Sequence, residues 1–139
     1  MRADRKLVID TNLWISRLLM PGGTAAKGVD HGLSWGIPLM SEDTLMELSD
    51  VLSRSKFDKY VSREDRQQFL LHLGGIARII PVTRKISACR DPKDDKFLDV
   101  ALNGEARLIL TGDQDLLALH PFHGIEILSP SDFLNRNVD

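Results

Sequence analysis

The 139-residue chain carries one cysteine, Cys89. A lone cysteine excludes an internal disulfide framework and any zinc site built on a cysteine cluster, and a reducing, cytoplasmic setting is expected. Long apolar runs are also missing: none approaches the roughly 18 residues needed to cross a bilayer. The opening MRADRKLVIDTN turns polar after one short run, so no secretory core is expected. No repeat, low-complexity tract or linker divides the sequence, and one domain spanning 1–139 follows. An excess of positive charge is absent as well. The formal net charge is −2, whereas a protein holding nucleic acid by a basic surface alone would be more basic. An acidic protein can still hold a phosphate backbone where bound cations reverse the sign locally.

What is present is an ordinary globular composition, 42% apolar and 27% charged. Its charge is unevenly spread. Residues 91–115 contain seven acids (Asp91, Asp94, Asp95, Asp99, Glu105, Asp113 and Asp115) against Lys93, Lys96 and Arg107. Such an excess is usually a solvated face, so position along the fold decides its meaning.

Short apolar runs alternate with helical patterns. Strands are predicted at Lys6–Asp10, Ile37–Met40, Arg78–Val82, Arg107–Thr111 and Ile125–Leu128. Pro81 suits the end of its strand better than the centre. Helices are predicted over Asn12–Leu19, Thr24–Trp35 and Glu42–Leu52, the last with Ser41 as N-cap. Ser62 caps a further segment to about Leu73, where Gly74-Gly75 is expected to stop it. Asp91-Pro92 opens a helix to about Asn103, a short helix follows Asp113, and Pro130–Leu134 closes the chain. Alternating strands and helices imply an α/β architecture: a central parallel sheet of about five strands with helices on both faces.

Ligands in such sheets collect beyond the carboxyl ends of the strands. Asp10 ends the first strand, and Asp113 follows the fourth by two residues. Each could simply cap the next helix. Glu47 lies beside the stripe Leu45, Leu48, Val51 and Leu52, but Glu42 fits the spacing equally well. The fourth acidic group is Asp91-Pro92-Lys93-Asp94-Asp95.

In this order, VIDTN, LMELSDVL, CRDPKDDKFLDVAL and ILTGDQDLL resemble the PIN-domain ribonucleases, and most closely their VapC-like branch of toxins from toxin–antitoxin pairs. The resemblance covers nearly the whole chain. It implies a three-layer α/β/α fold and RNA cleavage with Mg²⁺ or Mn²⁺. Carried over by position, it makes Asp10, Glu47, an aspartate of the 94–95 pair and Asp113 the catalytic and metal-binding cluster, with Asn12 and Thr111 supporting the carboxylates or their waters. It also implies a cognate antitoxin and a homodimer. Mg²⁺ takes hard oxygen ligands and retains waters, so a few carboxylates and a substrate phosphate suffice.

Asp94 is favoured over Asp95. Its i+3, i+4 and i+7 neighbours Phe97, Leu98 and Ala101 are all apolar, whereas those of Asp95 include the charged Asp99. The family's Asp-Pro-x-Asp pattern likewise matches Asp91, Pro92 and Asp94.

Other readings fit less well. A haloacid-type phosphohydrolase needs a second aspartate where Asn12 stands. A receiver domain needs Asp and Lys where Val82-Thr83 and Ser129-Pro130 stand. A catalytically silent PIN scaffold or a housekeeping RNA-processing nuclease is the alternative, although silent members typically lack one of the acids retained here. His120 and His123 flank a proline and read as a surface loop. Trp14 and Trp35 read as core or dimer contacts, and Cys89 as a small buried hydrophobe. Arg54, Lys56 and Lys59 form a basic cluster, either a solvated turn or a phosphate track.

Overall fold

The five apolar runs pair side by side in one parallel sheet. The computed structural model describes residues 5–136; residues 1–4, which open the segment where no secretory core is expected, and 137–139 lie outside the described residues. The strands are β1 (Lys6–Ile9), β2 (Ile37–Met40), β3 (Arg78–Ile79), β4 (Leu108–Leu110) and β5 (Glu126–Leu128), ordered β3-β2-β1-β4-β5 across the sheet. Between and after them run α1 (Thr11–Leu19), α2 (Thr24–Trp35), α3 (Glu42–Leu52), α4 (Arg63–Ile76), α5 (Asp95–Asn103), α6 (Gln114–Leu117) and α7 (Pro130–Asn135).

The central strands β2, β1 and β4 are covered on both faces, which is why they read as continuous apolar runs. Leu7, Ile9, Leu108 and Leu110 face one core with Trp14, Val29, Leu48, Leu73 and Phe133 from α1, α2, α3, α4 and α7. Val8, Leu39, Ile109 and Ile127 face the other, with Phe97, Leu98 and Ala101 of α5 and Leu116 of α6. The three-layer α/β/α fold follows directly from this alternation. Both tryptophans belong to the packing: Trp14 meets Phe69 edge-on at 6.2 Å between ring centres, and Trp35 meets Phe133 at 6.1 Å.

Three boundaries differ from the sequence pattern by more than one residue. Helix α4 runs through Gly74-Gly75 to Ile76. A Cβ added at either glycine would meet nothing, so both stand on the open side. Leu73 and Ile76 pack into the first core and carry the helix past its weak residues. Strand β3 stops at Ile79; the Ile80 N–H still donates to the Met40 carbonyl at 2.8 Å, but Pro81 has no donor to continue the ladder. Finally, Pro92–Asp94 forms a 3₁₀ turn and the α-helix begins only at Asp95. Asp94 thus sits at a junction, not within a helical stripe.

Candidate active site

Parallel pairing of Ile9 with Leu110 brings the ends of β1 and β4 to the same edge. The Asp10 N–H donates to the Leu110 carbonyl at 3.0 Å. The Thr111 hydroxyl donates to Asp10 Oδ2 at 2.7 Å and accepts from the Asp113 N–H at 2.9 Å. One fully buried threonine therefore fixes both the first-strand acid and the turn bearing the fourth-strand acid. Both acids are also helix caps. Asp10 Oδ1 accepts from the Asn12 N–H at 3.4 Å, and Asp113 Oδ1 accepts from the N–H groups of Asp115 and Leu116 at 2.8 and 3.2 Å. Asn12 meets Asp10 through its main chain, while the residue itself is exposed.

Asp94, Asp113 and Asp115 each bring a carboxylate oxygen into one group lying within 4.8 Å of one another. These are hard oxygen donors suited to Mg²⁺ or Mn²⁺. Asp115 did not stand out in the sequence except as one of many acids; its place two residues after a capping aspartate, on the first turn of α6, was the available signal. Burial, followed by the charges of Asp113, Asp91, Asp10 and Asp115, pushes the Asp94 carboxyl up to about 6. Asp10 is raised above the ordinary carboxylate range mainly by burial. Hydrogen bonds from Thr111 and Asn12 oppose that rise, and the charges of Asp113 and Glu47 add to it.

Glu47 projects from α3, whose start is fixed by a reciprocal hydrogen-bond pair between Ser41 and Thr44. Its Oε1 accepts from the Thr11 hydroxyl at 2.5 Å and its Oε2 from Lys96 Nζ at 2.5 Å. Glu42, indistinguishable by spacing, is instead exposed on the first turn. Neither Thr11 nor Lys96 was singled out in the sequence, because contacts 36 and 49 residues apart leave no local pattern.

Asp95 has a different role. Its Oδ1 accepts from the main-chain N–H groups of Ala88 and Cys89 at 3.1 and 2.7 Å. One turn on, Asp99 accepts from Ile86 at 2.6 Å; a further turn on, Asn103 Oδ1 accepts from the N–H groups of Thr83 and Arg84, each at 3.1 Å. The charge that interrupts this stripe in the sequence is therefore a ladder of acceptors holding the segment 83–89. The basic residues Arg54, Lys56 and Lys59 lie past the C-terminal end of α3, away from Ser41 at its opposite end. There Lys56 and Lys59 rest over the rings of Phe57 and Tyr60.

Fold and site together define an α/β protein with an acidic edge at the carboxyl ends of its central strands. The family model for the PIN domain matches residues 6–115, and the chain belongs to that family. It is 35% identical, over 116 residues, to an uncharacterized protein of Methanocaldococcus jannaschii, covering 82% of this chain and 74% of that protein. Several solved structures share its fold, two of which are informative. One is VapBC2 from Rickettsia felis bound to a DNA fragment from its promoter, with TM-score 0.62 and 14% identity, covering 89% of this chain and 98% of that one. The other is Mycobacterium tuberculosis VapC20, described as a sarcin-ricin loop cleaving toxin, with TM-score 0.55 and 13% identity, covering 86% of this chain and 98% of that one.

Proposed function

We propose that this protein is a divalent-metal-dependent endoribonuclease, a single cytoplasmic domain spanning 1–139 that acts as the toxin of a toxin–antitoxin pair. The observation carrying the reading is the convergence of Asp94, Asp113 and Asp115 beside the buried Asp10, at the edge where a doubly covered parallel sheet presents its ligands. Membership of the PIN-domain family supports a nuclease, and the likeness to VapBC2 and VapC20 motivates the toxin role and an antitoxin partner. Among the described residues no helix is long and apolar enough to cross a membrane.

In this reading Asp94, Asp113 and Asp115 hold Mg²⁺ or Mn²⁺, and Asp10 and Glu47 complete the acidic cluster. The bound ion supplies Lewis acidity that activates water and offsets charge on the phosphodiester. Thr111 keeps Asp10 and Asp113 at a set spacing, and Asn12 steadies Asp10 through its N–H. The apolar groove between α3 and α4, lined by Leu45, Leu70 and the exposed Leu71, supports self-association as a homodimer, for which light scattering at micromolar concentration is expected to return twice the chain mass.

Single-stranded RNA incubated with Mg²⁺ or Mn²⁺ is expected to be cut to products bearing 5′-phosphates and to be spared in EDTA. Cleavage that persists in EDTA, or products ending in cyclic phosphates, would overturn the mechanism. Divalent-ion binding without cleavage of any RNA tested would favour the silent scaffold.

A further inference from the structure

Glu47 stands apart from the other acids of the edge. Both its oxygens already have close partners: the Thr11 hydroxyl on one side and the Lys96 ammonium on the other, each at 2.5 Å. The ion pair is sheltered, with the two side chains 24% and 26% exposed. It is also long-range, joining α3 from one helical layer to the first turn of α5 in the other, directly after Asp94 and Asp95. The carboxylate group close enough to share an ion, Asp94, Asp113 and Asp115, does not include Glu47.

We propose that Lys96 is the resident cation of the acidic edge: its ammonium takes the place beside Glu47 that a second divalent ion would occupy, leaving room for one such ion, at Asp94, Asp113 and Asp115. The inference rests on the metal-dependent reading above and refines it. A divalent ion at Glu47 would have to break the pair or sit against a fixed positive charge, and at a few ångströms in a half-shielded site that repulsion is large. Lys96 and Thr11 are thus positioning residues. They fix the orientation of the Glu47 side chain, so that it lies near Asp10 without ligating an ion.

The test counts Mn²⁺ bound per chain, by calorimetry and by loss of the free-ion electron-spin resonance signal. Wild type, Lys96→Met, Lys96→Gln and Lys96→Arg are compared, with Asp113→Asn as the control for the aspartate site. Wild type and Lys96→Arg are expected to take one ion, abolished by Asp113→Asn. Lys96→Met and Lys96→Gln are expected to take a second ion, or to bind the first at least about tenfold more tightly. Adding Glu47→Gln to Lys96→Met should remove that gain. One ion in wild type with no change in either neutral variant overturns the role of Lys96 while leaving the metal-dependent reading intact. Two ions in wild type does the same. No ion in any variant overturns the metal-dependent reading and the role of Lys96 with it.

Discussion

Asp94 and Asp95 are consecutive, yet their carboxylates serve different structures. An Asp94 oxygen lies within 4.8 Å of oxygens from Asp113 and Asp115, while Asp95 Oδ1 accepts from the Ala88 and Cys89 N–H groups. The backbone changes from 3₁₀ turn to α-helix between them, which swings successive side chains apart. Their electrostatics diverge accordingly. Burial and like charges raise Asp94 to about 6. Burial also pushes Asp95 upward, but the N–H groups of Cys89 and Ala88 outweigh it and hold Asp95 below the ordinary value.

The pair should therefore separate function from stability. Asp94→Asn is expected to lower RNA cleavage by about 100-fold or more while the protein stays folded. Asp95→Asn should keep most of the activity but lose about 1 kcal/mol of stability, because a neutral amide oxygen accepts those two hydrogen bonds less strongly. Cleavage rates and urea unfolding of both variants check this; the reverse ranking of activities would transfer the ligand role to Asp95.

Asp10→Asn is expected to abolish cleavage and leave the metal-free fold at least as stable as wild type. Asparagine can still accept from Asn12 and cap α1, while a desolvated charge beside Asp113 and Glu47 is removed. Denaturant unfolding in EDTA is the measurement. A loss of more than about 1 kcal/mol would show that the hydrogen bond Oδ2 accepts from the Thr111 hydroxyl, which an amide nitrogen cannot accept, outweighs the relief of charge.

Much of this site was legible in the sequence, and for identifiable reasons. Asp10 and Asp113 each follow a short apolar strand, and a parallel sheet sends such residues to one edge. Asp94 was separated from Asp95 by the apolar residues that follow it, although the actual cause is the 3₁₀ junction and not a shared helical stripe. Glu47 could not be told from Glu42 by spacing, since the choice depends on Thr11 and Lys96, which are distant in the chain. Asp99 reads as part of a solvated acidic face because the main-chain N–H group it satisfies has no signature in side-chain identity.

The contribution of Asp94 to the stability of the metal-free protein should fall as pH rises. Asp94 binds its proton more tightly in the folded state, about 6, than at the ordinary 3.8 of an unfolded chain. Its contribution is thus most favourable below pH 4 and falls off as pH climbs to about 6. Because the side chain is partly exposed, the difference between wild type and Asp94→Asn is expected to change by only about 1 kcal/mol across this window. Unfolding in EDTA between pH 4 and 7.5 reads it directly, and a flat difference would contradict the crowding of charge around Asp94.

Cys89 should be a sluggish nucleophile. Burial, its hydrogen bond to Asp95 and the charges of Asp95, Asp94 and Asp113 push its thiol up to about 12. Alkylation by iodoacetamide at pH 8 is expected to be about 100-fold slower in the native protein than in urea, with Asp95→Asn narrowing the gap. Equal native and unfolded rates would show that the thiolate is not disfavoured.

The acceptor ladder on α5 grips the segment 83–89 chiefly by its main chain, at Thr83, Arg84, Ile86, Ala88 and Cys89. Arg84, Lys85, Ser87 and Ala88 are exposed along it. The fold thus dictates the path and length of this strip while leaving its outward face unspecified. Proline at a gripped position, or an inserted residue, would unhook the strip from the helix. Exchange of the outward side chains would not. A surface leading to the Asp91-Pro92 turn can therefore be rewritten without disturbing the aspartates that follow.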